Sequence, residues 1–249
     1  VRDIAEIEWT ATGRADVALV FDYASAWAWE VQPQGKGFSY FSLVFSMYRA
    51  LRRLGLNVDI VSPANPDLAG RKMVLIPGLF AWSEPLLEAL RAFDGDVLIG
   101  PRTGSKTAEF RIPDELPPGY PGGLRVLRVE SLREDMPIAA EGGGAFVGWR
   151  EFVEGGDVVI RLDDGEPALV TDAGISYLCG WPDDALALRV VASLAQRAGV
   201  AVREVPEGLR LRQRGDQLFV FNYDEHPHDL RPLGYEGVLA PAGVAVFKA

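Results

Sequence analysis

The sequence predicts an α/β fold: a parallel sheet with helices on both faces, followed by a small all-β unit. Three observations predict it. Strand-like and helix-like segments alternate through the first hundred residues, as they do when helices cross between parallel strands. Met73-Val-Leu-Ile-Pro77 is almost uniformly apolar, the pattern of a strand buried on both faces. After Gly199 the helical period stops, and short strands take over, separated by Arg-Gly-Asp and Pro-Ala-Gly turns.

The elements follow in order. Val17–Phe21 is an apolar strand. The stretch after it, Asp22 to Gly35, reads as a loop holding Trp27, Trp29, Gln32 and Gln34. A helix is expected from about Phe38 to Leu54, with Phe41, Val44, Phe45, Tyr48 and Leu51 on its apolar face. Gly55 ends it. Val58–Val61 and Met73–Pro77 are strands. Ser83 caps a helix running to Phe93, with Pro85 in its first turn, and Val97–Gly100 is the fourth strand. Prolines at 113, 117, 118 and 121 mark a loop. Leu124–Val129 reads as a strand and Ala139–Gly144 as a small-residue linker. Asp157–Leu162 and Pro167–Val170 flank the turn Asp163-Asp-Gly-Glu166, a hairpin signal. Ile175–Leu178 is a further strand, and Asp183 caps a helix from Asp184 to Ala198. Leu209–Gln213, Gln217–Asn222 and Val244–Phe247 make up the terminal β unit, which is short for holding much core alone.

Composition excludes several function classes. With 249 residues, 48% of them hydrophobic, the chain can bury a sizeable core. A formal net charge of -10 repels nucleic acid, so no DNA or RNA partner is expected. No apolar run reaches the length of a membrane span, so no membrane partner is expected. The single cysteine, Cys179, excludes an internal disulfide and suits a cytoplasmic location. The N-terminus carries no signal-peptide pattern and reads like the end of a helix, so residues 1–15 are expected to be a linker from an upstream domain.

The catalytic constellations are weak. Gly100-Pro-Arg-Thr-Gly-Ser-Lys-Thr107 approaches a phosphate-binding loop, but Ser105 stands where a glycine belongs and the following residues look extended. Phosphate binding needs a helix N-terminus there, so nucleotide binding is rejected. The segment is read instead as a polar loop in which Arg102 and Lys106 contact a partner. Cys179 has no histidine base in reach of the sequence pattern, and the bend Pro77-Gly-Leu-Phe-Ala81 carries neither cysteine nor serine, so a buried structural thiol is expected. His226 and His228 lack a clustered third ligand for a metal. Asp22, Glu30, Glu84, Asp163 and Asp172 lie near strand ends or turns, but spacing alone does not pair them. No catalytic residue, metal or other cofactor is assigned. Trp27 and Trp29 suit an interface, where large aromatics act as anchors. The amides beside them favour that over an interior cluster, which stays the alternative.

Phe21-Asp-Tyr-Ala-Ser-Ala-Trp-Ala-Trp-Glu-Val-Gln-Pro-Gln-Gly35, Phe38-Ser-Tyr40, Tyr48-Arg-Ala-Leu51 and Gly55-Leu-Asn-Val-Asp-Ile-Val61 resemble the middle domain of glycoside hydrolase family 42 β-galactosidases. The likeness continues at Leu75-Ile-Pro77, at Gly100 to Lys106 and at Val129-Glu-Ser-Leu132. Phe219-Val-Phe-Asn-Tyr223 and Leu239-Ala-Pro241 are similar to that family's C-terminal β domain. The resemblance implies a flavodoxin-like, class I glutamine amidotransferase-like domain over 16–200, without amidotransferase catalysis, and a small β domain over 201–249. It implies a homotrimer whose loops help wall a neighbour's active site. The interface or substrate-wall candidates are Trp27, Trp29, Gln32, Gln34, Tyr40, Arg102 and Lys106. It also implies that hydrolysis of terminal β-D-galactosides belongs to an upstream (β/α)8 barrel bearing a retaining pair of glutamates. No eightfold strand–helix series precedes Val17 and no Asn-Glu dipeptide occurs, so those glutamates have no counterparts and galactosides are reached only through the parent active site. Two other readings stay open: an independent carbohydrate-binding module, and a small-molecule enzyme on the same fold.

Overall fold

The computed structural model describes residues 14–35, 37–120 and 123–248. The expected linker at 1–15 lies almost wholly outside them. The chain opens with β1 (Val17–Val20), α1 (Tyr23–Val31), α2 (Tyr40–Arg53), β2 (Val58–Val61), β3 (Met73–Ile76), α3 (Glu84–Arg91) and β4 (Asp96–Ile99). Then follow β5 (Arg125–Ser131), β6 (Ile138–Ala139), β7 (Ala145–Glu154), β8 (Asp157–Arg161), β9 (Pro167–Asp172), β10 (Ile175–Leu178), β11 (Gly180–Pro182) and α4 (Asp184–Arg197). The last stretch holds β12 (Leu209–Arg214), β13 (Gln217–Asn222), β14 (His228–Asp229), β15 (Val238–Leu239) and β16 (Val244–Lys248).

The central sheet has seven strands in the order β2-β1-β3-β4-β10-β9-β8. From β2 to β10 all neighbours are parallel. The crossovers β1-to-β2 and β3-to-β4 run in opposite directions across this sheet. Right-handed connections therefore place α2 and α3 on opposite faces, and α4 packs beside α2. β1 and β3 are buried along their whole length, as double coverage requires.

The hairpin expected around Asp163–Glu166 forms, with β8 antiparallel to β9. The parallel-sheet expectation needs correction where this hairpin joins the sheet, because β9 pairs antiparallel with β10. The tight turns Asp163–Glu166 and Ala173–Gly174 reverse the chain without room for a crossover helix, which a parallel pairing needs. A second, antiparallel sheet, β11-β7-β5 with β6 on β7, was not foreseen. Its central strand β7 escapes a pattern reading because Gly148 (φ +73°) and the charged Arg150 and Glu151 interrupt its apolar alternation.

The largest correction falls on the stretch expected to be a loop. It is helix α1. Asp22 caps it by accepting the N–H groups of Ala24 and Ser25, three alanines favour the helix, and the bias of a residue before proline stops it at Gln32. The buried face of α2 also differs. It consists of Tyr40, Leu43, Val44, Met47, Ala50 and Leu51, while Phe41 and Phe45 are exposed. Apolar residues cover more than half of this helix, and the aliphatic side faces the sheet.

β12, β13 and β16 form a three-stranded antiparallel sheet over a separate small core that includes Val205, Leu211, Val220 and Leu233. This unit is joined to the central sheet through its β2 side. Asn57 and Gln213 exchange two hydrogen bonds (2.9 and 3.1 Å). The buried Arg52 guanidinium donates to the carbonyls of Leu56 (2.6 Å) and Leu211.

Candidate functional site

Two features meet at the carboxyl ends of β1, β3 and β4, the edge where α/β sheets present their functional surfaces. One is an exposed aromatic face. On α1, Tyr23, Trp27 and Val31 recur at four-residue spacing and are 67%, 63% and 76% exposed. On α2, Phe41 stacks on Phe45 and Phe45 on Tyr48, with centroids 6.1 and 6.3 Å apart. Phe21 joins the stripes, lying 4.9 Å from Tyr23 and 6.5 Å from Phe41. Exposed apolar residues scattered singly need no explanation, but a contiguous patch marks an interaction surface.

The other feature lies beneath α1 and is closed. Trp29 is fully buried, stacked on Phe38 (4.9 Å) and edge-on to Trp181 (6.1 Å). The Arg102 guanidinium lies over the Trp29 ring at 4.6 Å, with Phe80, Phe38 and Trp149 at 5.0, 5.3 and 5.7 Å. Its Nη2 donates to the Gln32 carbonyl (3.3 Å), and Nη1 is buried with no hydrogen-bond partner among the described residues. Burial lowers the Arg102 pKa to about 10, partly offset by the nearby Glu151 carboxylate. The Arg102 backbone sits at φ +64°, a conformation costly for a residue with a Cβ.

Glu151 holds that backbone. Its Oε1 accepts the Arg102 N–H (2.9 Å) and Trp149 Nε1–H (3.0 Å), and its Oε2 accepts the Tyr177 hydroxyl (2.5 Å). Burial pushes the Glu151 carboxyl up, against the three donors that favour its charge. Tyr40 is also buried. Its hydroxyl accepts the Asp22 N–H (3.1 Å), and burial raises its pKa.

The seven candidate residues thus divide. Trp29, Tyr40 and Arg102 are buried inside the chain, beneath the exposed residues, rather than at the surface where an interface reading expects them. Gln32 joins them through its backbone carbonyl. Trp27 faces outward. Gln34 is half-buried at the rim, its carbonyl accepting from Ser131 (2.7 Å). Lys106 stands apart, half-buried, 5.5 Å over the Phe110 ring. Sequence reasoning missed Tyr23, Val31, Phe41 and Phe45 as surface, although the Tyr23-Trp27-Val31 spacing carried the signal. It also missed Glu151, which no local pattern marks.

The catalytic rivals find little here. After β4 the chain turns without opening a helix, and the N–H groups of Gly104, Ser105 and Lys106 donate to Leu79, Arg102 and Phe80 carbonyls. They are not aimed at a phosphate. At the bend after β3, Gly78 (φ +72°) would place a Cβ 2.7 Å from Trp29 Cζ2, so the bend is filled. Cys179 is buried, and burial pushes its thiol well up. His228 lies 3.1 Å from Asp224 in the terminal β unit, and no group of three or more His, Cys, Asp or Glu among the described residues fits a metal ion. Asp22 serves as a cap and Glu84 pairs with Arg91 (2.8 Å). No helix among the described residues is long and apolar enough to cross a membrane.

Fold and site together define an α/β scaffold whose strand-end centre is packed solid and whose outer helices carry an aromatic face. The chain belongs to the family described as the β-galactosidase trimerisation domain, which matches residues 15–201. It corresponds to the middle and C-terminal portion of glycoside hydrolase family 42 β-galactosidases. It is 46% identical over 247 residues to a β-galactosidase of Thermus thermophilus, covering 96% of this chain and 37% of that protein. The β-galactosidase structure from Halorubrum lacusprofundi superposes with a TM-score of 0.88 at 31% identity, covering 100% of this chain and 42% of that one. The Marinomonas ef1 β-galactosidase gives 0.87 at 32%, covering 96% and 38%. The chain therefore spans well under half the length of the relatives it matches.

Proposed function

We propose that this chain is the assembly portion of a homotrimeric β-galactosidase. In this reading residues 16–200 form the amidotransferase-like trimerisation domain and 201–249 the small β domain. The face made by Tyr23, Trp27, Val31, Phe41 and Phe45 is where a neighbouring subunit docks. Gln32 and Gln34 at its rim help wall the neighbour's substrate pocket. Hydrolysis of terminal β-D-galactosides by a retaining pair of glutamates belongs to the parent's catalytic barrel, and the single unpaired Cys179 supports a cytoplasmic setting.

The observation that carries the reading is the contiguous exposed aromatic surface across α1 and α2. Buried aromatics at the centre of an interface dominate its binding energy, at about 2 kcal/mol or more for a hot-spot residue. Light scattering after size exclusion tests it: a species of three chains is expected, and Trp27→Ala is expected to shift it toward monomer. A wild-type chain that stays monomeric at high concentration, or a W27A trimer as tight as the parent, would sink the assignment. Titrating lactose against tryptophan fluorescence separates assembly from sugar binding, with no saturable change expected for the isolated chain.

A further inference from the structure

α1 has nine residues, and an isolated helix of that length is marginal in water. It also has no basic residue in its last turn to meet its negative end. Arg102, seventy positions away, supplies that cation: Nη2 donates to the carbonyl of Gln32, the C-cap residue. The same guanidinium lies over the ring of Trp29, the fully buried inner residue of α1, at 4.6 Å. Trp29 also presses against Gly78, where even a Cβ would come within 2.7 Å. Closer to the N-terminus, the Ser25 hydroxyl accepts the Phe80 N–H (3.0 Å). The inner face of α1 is gripped along its length, and the outer face of the same helix carries Tyr23, Trp27 and Val31.

Arg102 is poorly placed to serve stability alone. Among the described residues its Nη1 is buried without a hydrogen-bond partner, its backbone is in the left-handed region, and the Glu151 carboxylate bonds its backbone N–H rather than its side chain. Arg102 and the buried Glu151 are charge neighbours, and removing one member of such a pair is costly. The Nη2 hydrogen bond of the guanidinium goes to the end of α1, so a replacement without donors also removes the grip there.

We propose that Arg102 is a positioning residue that reaches from the turn after β4 to fix the C-terminal end of α1, and thereby sets the exposed stripe Tyr23-Trp27-Val31. The grip itself stands on the contacts above; its consequence for assembly rests on the interface reading. Arg102→Met keeps length and loses the donors, and Arg102→Lys keeps the charge but loses the planar fork. Hydrogen exchange followed by mass spectrometry is expected to show faster exchange in α1 of R102M, by about tenfold, the scale of a lost hydrogen bond to a charged group. Exchange in α2 and β3 stays near wild type, and R102K falls between. Unchanged α1 exchange, or acceleration spread evenly over the sheet, overturns the positioning role.

The assembly consequence is read separately, as a subunit dissociation constant in R102M, W27A and the double variant. The effects are expected to be less than multiplicative, because Arg102 acts through the helix that carries Trp27. Independent, fully multiplicative effects overturn that link. Faster α1 exchange with an unchanged trimer keeps the grip and overturns the interface assigned to this face.

Discussion

Glu151 is a buried carboxyl in the interior of the chain. Burial raises its pKa above the usual carboxylate range, while Tyr177, Trp149 and the Arg102 N–H pull the other way without reversing the shift. The folded state then holds the proton more tightly than the unfolded chain. Its contribution to stability is complete below the unfolded pKa and is lost as pH rises through the folded one. Urea midpoints measured from the ordinary carboxylate range upward should therefore carry a falling component in the wild type. That component should be absent in Glu151→Gln, and identical profiles would show that Glu151 does not titrate there. Nothing in the sequence announced this residue. Glu151 sits among Arg150 and Glu154 in a strand whose alternation is broken, and only the three-dimensional meeting with Tyr177 and Arg102 makes it unusual. Trp27 and Trp29 were legible as a pair worth notice, but two residues apart on a helix they point in different directions, one to solvent and one to the core.

At the scale of elements, α1 depends on its cap. Asp22 accepts the N–H groups of Ala24 and Ser25 and the Ser25 hydroxyl (3.3, 2.8 and 2.8 Å). Asp22→Ala should cost about 1–2 kcal/mol, measured by denaturant unfolding, with no change in the denaturant slope. A smaller loss would mean that Trp29 alone seats the helix. The strands of the parallel half were readable because burial on both faces leaves an uninterrupted apolar run, as in β3. Helix α2 was readable as a helix but not in its orientation, since an aromatic and an aliphatic stripe compete on one cylinder. α1 was not readable as a helix because glycine, proline and glutamines crowd its end and draw attention from the cap at Asp22. β7 was missed for a different reason: Gly148, Arg150 and Glu151 break its apolar alternation.

Over the whole molecule, charge opposes the assembly proposed for the aromatic face. Each chain carries a formal net charge of -10, so bringing copies together costs repulsion that salt screens. Raising ionic strength from about 0.05 M to about 0.5 M shortens the screening length severalfold and should tighten the proposed trimer in sedimentation equilibrium. Weakening instead would mean that ion pairs, not aromatics, hold the interface. The architecture of the parallel sheet and of the terminal β strands could be read from the sequence, because each strand is bounded by turn residues. The contact between them could not, because it rests on a few groups such as Asn57 and Gln213 whose side chains reach across.

Arg52 belongs to helix α2 by sequence, yet one of its buried donors is spent on Leu211 in the terminal β unit. Cutting the chain between the two units would leave Arg52 its bond to Leu56 and take away the one to Leu211. A genetic crossover in the segment after α4 would therefore transfer two pieces that each arrive with a wound. Produced separately, the two units are expected to unfold at lower urea than they do when joined.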